Sequence, residues 1–103
     1  MNDITVSELK TKIESKDDFI FIDVREPAEF AEHNLGATLI PLGTLPAKII
    51  DFQDSKDLEI IVHCRSGARS HQAKQFLIRS GFNNVRNLLG GILEYEKQYG
   101  PHS

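Results

Sequence analysis

Ile60-Ile61-Val62 sets three β-branched apolar residues in a row between Glu59 and His63. Strand side chains alternate between faces, so a run like this leaves no face for water and predicts a strand covered on both sides. Phe19 to Val24 has the same character, apolar except for Asp23. Strands covered on both sides belong to parallel sheets, whose crossovers are usually helices. The intervening segments fit that role. Ile4 to Val6 reads as a short strand, and Ser7 can cap a helix reaching about Glu14, with Leu9 and Ile13 on one face. Pro27 suits the first turn of a short helix through about Glu32. Thr38 to Ile40 is a strand stopped by Pro41, and Pro46 to Phe52 is helical with Ile49 and Ile50 turned inward. Ala68 to Ser80 places Ala73, Phe76 and Leu77 at helical spacing and closes at Gly81. Val85 to Leu88 is a last strand, Gly90-Gly91 a turn, and Ile92 to Gln98 a final helix burying Ile92 and Tyr95. Five βα repeats predict an α/β fold with a sheet of about five parallel strands and helices on both faces.

The 103 residues hold one core, so residues 1–103 are expected to form a single domain. No internal repeat or linker-like stretch interrupts them. The longest apolar runs fall far short of the roughly 20 residues that cross a bilayer. The N-terminus lacks the basic start and apolar stretch of an export signal, which points to the cytoplasm. A formal charge of −3 without a basic run argues against nucleic acid as a partner. The expected state is a monomer or weak dimer.

A single cysteine, Cys64, excludes an internal disulfide and leaves two roles, inert buried thiol or reactive thiol. Its neighbours favour the second. It follows the Ile60–His63 strand and precedes the Ala68 helix, at the sheet edge where open α/β folds bind ligands. The loop from Cys64 to Arg69 is short and contains Gly67, so backbone N–H groups of Arg65, Ser66, Gly67 and Ala68 can turn toward the sulfur. The helix N-terminus adds partial positive charge, and Arg65 and Arg69 add formal charge, which favours thiolate and suits an anionic substrate. A purely structural thiol needs none of these neighbours.

Cys64-Arg65-Ser66-Gly67-Ala68-Arg69-Ser70 resembles the catalytic loop of the rhodanese family. Asp23-Val24-Arg25-Glu26-Pro27 with Glu29-Phe30 resembles that family's first signature. His33 to Ala37 followed by Ile40-Pro41-Leu42 resembles the next segment, and Gly90-Gly91 the closing glycine pair. Glu32, Asn34 and Tyr95 depart from the residues common there, Gly, Ile and Trp. The resemblance implies a thiosulfate-type sulfurtransferase. Cys64 would take sulfur from thiosulfate or a persulfide donor and pass it to cyanide, a thiol or a protein acceptor. The basic loop is similar to thiosulfate-type rather than mercaptopyruvate-type versions, and no metal or organic cofactor is implied.

Two other functions share these features: a persulfide carrier or regulatory module without turnover, and a cysteine phosphatase. Dual-specificity phosphatases of the cell-cycle type place five residues between cysteine and arginine, where this chain has Arg65, Ser66, Gly67 and Ala68. The smaller ring suits one sulfur better than a tetrahedral phosphate. Arg69 is expected to anchor the loop or the substrate anion, and Arg65 to touch that anion. Asp23 and Arg25 read as a supporting ion pair near the site edge. His63 should face the opposite side of the sheet from Cys64 and is not assigned as a base. His33, His71 and His102 share no metal-ligand spacing.

Overall fold

The computed structural model describes residues 3–100. Along the chain run α1 (Val6–Glu14), β1 (Ile20–Asp23), α2 (Pro27–Glu32), β2 (Thr38–Leu39), α3 (Leu45–Lys48), β3 (Ile60–His63), α4 (Ala68–Arg79), β4 (Val85–Asn87) and α5 (Gly91–Tyr99). Short 3-10 turns, Leu42–Thr44 and Ile49–Ser55, flank α3. The strands are all parallel, in the order β2-β1-β3-β4, which puts the apolar β3 run in the interior of the sheet. The fold is the α/β class read from the sequence, with four strands. The place of a fifth is held by Ile4 alone, which makes a single parallel bridge to Leu88.

That strand stops at one residue because Thr5 starts a helix. Its hydroxyl accepts from the Glu8 N–H at 3.1 Å while the Glu8 carboxylate accepts from the Thr5 N–H at 3.0 Å. This reciprocal cap makes Thr5, not Ser7, the N-cap, and Val6 becomes the first helical residue, buried with Leu9.

Each face of the sheet carries its own apolar cluster. On one side Ile22, Val24, Ile60, Val62 and Cys64 meet Leu45 of α3 and Ala73 and Leu77 of α4. On the other, Ile61 and Leu88 meet Leu9 of α1 and Ile92 and Tyr95 of α5. All four residues of β3 are buried, as its lack of a polar face requires. The expected helix from Pro46 to Phe52 is one α turn between 3-10 turns. There Leu45 is the buried anchor, Ile49 packs from the margin, and Ile50 lies 71% exposed, contrary to the inward placement expected of it. Pro46 near the start of α3 and the tighter winding after it rotate Ile50 off the core face.

No helix among the described residues is long and apolar enough to cross a membrane. Leu77, 1% exposed on α4, ties the helix that follows the cysteine loop to the sheet. Leu77→Ala should cost about 2–5 kcal/mol, read as a lower urea midpoint at unchanged slope.

Candidate active site

β3 delivers Cys64 to the carboxyl edge of the sheet, and the chain must turn at once to begin α4. Gly67 makes that turn at φ 112°, a left-handed conformation that side-chain-bearing residues rarely adopt, and serves as the N-cap of α4. Its N–H lies 3.1 Å from Cys64 Sγ. The Ser70 hydroxyl, one turn into the helix, lies 3.4 Å from the same sulfur. Cys64 itself is 1% exposed, so these donors act with little competition from water.

The loop keeps this shape because α5 holds its carbonyls from behind. The Ile92 N–H donates to the Cys64 carbonyl at 3.0 Å and the Leu93 N–H to the Arg65 carbonyl at 3.1 Å. In a trans peptide the C=O and the following N–H point in opposite directions. Pinning the Arg65 carbonyl toward α5 therefore turns the Ser66 N–H toward the sulfur. Gly91 permits the approach: a Cβ there would stand 2.4 Å from the Arg65 carbonyl oxygen and 2.7 Å from that of Cys64. Gly91, the second of the glycine pair, is thus a steric requirement of the cysteine loop.

Burial raises the Cys64 pKa, but hydrogen bonds from the Ser70 hydroxyl and from the N–H groups of Ser70, Gly67 and Ser66 outweigh it and hold the thiol below its ordinary value. These dipoles, rather than arginine charge, lead the effect. The Ser70 hydroxyl has one hydrogen and three acceptors in reach: Cys64 Sγ, the Gly67 carbonyl at 3.2 Å and Asn87 Oδ1 at 2.5 Å. Asn87 spends its own Nδ2 on the Gly67 carbonyl at 3.2 Å, and its N–H donates to Asp3 at 3.0 Å. No motif in the sequence points to Asn87. Its signal was an amide inside an otherwise strand-like run, where Asn is disfavoured unless it has a specific partner.

Arg69 makes a two-pronged bond to Glu29 of α2, at 2.7 and 2.9 Å. Hydrogen bonds from Arg69 are the main reason the Glu29 carboxyl falls from 4.5 to about 2. Of the two roles open to Arg69, loop anchor or anion contact, its guanidinium is engaged in the first. Glu29 belongs to the Asp23–Phe30 signature, but a partner forty residues away leaves no local trace. Arg65 is exposed at the loop's outer edge, beside a cleft of about 250 Å³ that Glu29, Glu32, Leu93 and Glu96 also line. Ala68, the first residue of α4, is exposed and contributes its backbone.

Asp23 and Arg25 form the expected ion pair, with 0% and 2% exposure and a 2.8 Å bond from Arg25 Nη2. Arg25 also donates to the His33 carbonyl at 3.0 Å, tying β1 to the end of α2. His63 points away from Sγ, toward Phe21 and Asp23. His33 pairs with Glu96 and His71 is exposed; His102 lies outside the described residues.

With a buried low-pKa cysteine at a strand end, ringed by donors from the next helix, comparison with known proteins becomes decisive. Residues 5–98 match the family described as Rhodanese-like domain. The chain belongs to the rhodanese-like family. A sulfurtransferase of Allochromatium vinosum is 33% identical over 102 residues, covering 98% of this chain and 94% of the relative. A crystal structure from Staphylococcus saprophyticus superposes with TM-score 0.84 at 34% identity, covering all of both chains. A human single-domain sulfurtransferase superposes with TM-score 0.81 at 25% identity, covering 93% of this chain and 96% of that one. The rhodanese resemblance drawn from Cys64–Ser70 and Gly90-Gly91 thus extends to the fold, and sulfurtransferase relatives support sulfur transfer as the general chemistry.

Three outcomes follow from this geometry. Ser70→Ala should move the alkylation-rate profile of Cys64 to higher pH, because the largest pKa-lowering interaction is lost. Gly91→Ala should push the loop off α5, seen as the same upward displacement together with a lower melting temperature. Glu29 is depressed in the folded state, so its contribution to stability is complete above pH 4.5 and fades as pH falls toward about 2. The stability gap between the unmodified protein and Glu29→Gln, followed by urea melts, should narrow over that interval.

Proposed function

We propose that this protein is a thiosulfate-type sulfurtransferase using Cys64 as the nucleophile. The observation that carries the reading is the ring of donors around one sulfur, with the Gly67 N–H at 3.1 Å and the Ser70 hydroxyl at 3.4 Å. The Cys64 thiolate attacks the outer sulfur of thiosulfate. A new S–S bond forms as the bond to the sulfonate sulfur breaks, and sulfite leaves with that electron pair. The product is a Cys64 persulfide whose terminal sulfur carries the negative charge. N–H groups of the loop stabilise it as they stabilise the thiolate. A thiophile then attacks the terminal sulfur and Cys64 leaves as thiolate. Cyanide yields thiocyanate, and a thiol or a protein cysteine yields a new persulfide.

Arg65, exposed on the rim, is the group proposed to meet the donor's sulfonate oxygens. Arg69 acts through the loop, since its fork is filled by Glu29. That engagement also weighs against a phosphatase, which needs the arginine at the end of its loop free to grip phosphate oxygens. Asp23 and Arg25 serve as a buried brace beneath the site. The proposed partners are small sulfur-bearing anions and thiol or protein acceptors.

Intact-mass measurement after brief exposure to thiosulfate, then cyanide, tests both half-reactions. One sulfur should add, vanish with cyanide, and appear as thiocyanate. Cys64→Ser should neither load nor turn over; full turnover in that variant overturns the mechanism. Loading from protein persulfides but not thiosulfate would replace the thiosulfate reading with that of a carrier.

A further inference from the structure

The Cys64 carbonyl has a second donor besides α5. His63 Nδ1 lies 3.3 Å from it. The carbonyl is the nearer of the two acceptors that face the ring, so the tautomer that hydrogen-bonds it carries its hydrogen on Nδ1 and leaves Nε2 bare toward Asp23. His63 is fully buried and belongs to the opposite face of β3 from the sulfur, its ring 5.3 Å from that of Phe21. Its other nitrogen, Nε2, is buried without a hydrogen-bond partner and faces Asp23 Oδ2 at 3.6 Å. Leaving a buried polar atom unsatisfied is costly, and a leucine would fill the same space without that cost. Simple packing therefore gives no reason for an imidazole here.

We propose that His63 is a positioning residue for sulfur transfer, donating its Nδ1–H to the Cys64 carbonyl and, with the Ile92 N–H, fixing the peptide that begins the sulfur cradle. Two donors on one oxygen set the Cys64–Arg65 peptide plane from both sides. The Arg65 N–H, opposite that carbonyl, is thereby aimed at the outer face of the loop where a donor anion arrives. Around the imidazole stand Asp23, with Arg25 bonded to it, and the apolar Phe21; burial lowers the His63 pKa more than Asp23 raises it. His63 thus works as a fixed neutral donor and exchanges no proton with the sulfur.

The inference rests on Cys64 being the nucleophile, and its test begins with a readout that needs no sulfur donor. An asparagine side chain places its amide nitrogen where Nδ1 stands, glutamine reaches instead to the Nε2 position, and leucine supplies no donor. The rate of Cys64 alkylation by iodoacetamide is measured across pH for the folded His63→Asn, His63→Gln and His63→Leu proteins, alongside kcat/KM for thiosulfate with cyanide. His63→Leu frees the Cys64–Arg65 peptide and, through it, the adjoining Ser66 N–H that faces the sulfur. It should therefore lower the thiolate fraction at neutral pH about threefold to tenfold, the scale of one weakened hydrogen bond, with a matching fall in kcat/KM. His63→Asn should stay near the unmodified protein. If the leucine variant does not fold, His63→Gln takes its place with the same expectation. An unchanged alkylation profile in a folded leucine or glutamine variant overturns the proposal, as does an asparagine variant no better than leucine. A normal profile combined with no thiosulfate turnover in the unmodified protein would sink the sulfurtransferase reading instead.

Discussion

Two hydrogen bonds from the start of α5, to the carbonyls of Cys64 and Arg65, are the constraint around which the site is built. The four residues between strand and helix, Cys64 to Gly67, have many ways to point their amides. Fixing two consecutive carbonyls removes most of them and leaves the Ser66 N–H facing the sulfur. The contact exists only because Gly91 brings no side chain. Other features follow from it: Gly67 must take a left-handed turn to enter α4, and Ser70 must then stand beside the sulfur it follows by six residues.

The braces around this loop come from every part of the chain. Glu29 reaches from α2 to hold Arg69, Asn87 reaches from β4 to hold the Gly67 carbonyl, and Asp3 holds Asn87. Beneath them the Asp23–Arg25 pair joins β1 to the end of α2. A parallel sheet makes this convergence possible, since all its strands end at the same edge. The chemistry is local to a few residues while its geometry is distributed over the fold.

That division decides what could be read from the sequence. Cys64, Gly67 and the helix starting at Ala68 were legible because strand, turn and helix signals are local. So was the inward packing of Ile92 and Tyr95, which helical spacing alone reveals. At Ile4–Val6 the strand pattern loses to the Thr5–Glu8 reciprocal cap, a local signal that the sequence also carries. Ile50 was placed inward by a helix that turned out to be mostly 3-10. The partners of Glu29 and Asn87 lie 40 and 20 residues away, so the sequence shows at most that an amide in a strand-like run needs some partner, not which one.

The dependence of the loop on α5 also has a temporal side. Residues 91–99 are the last described helix to be synthesised, and until they dock, the carbonyls of Cys64 and Arg65 are free to turn inward. A nascent or partly unfolded chain therefore carries an ordinary, weakly acidic thiol. The lowered pKa of Cys64 is thus a property of the finished fold, present only where α5 is docked against the loop.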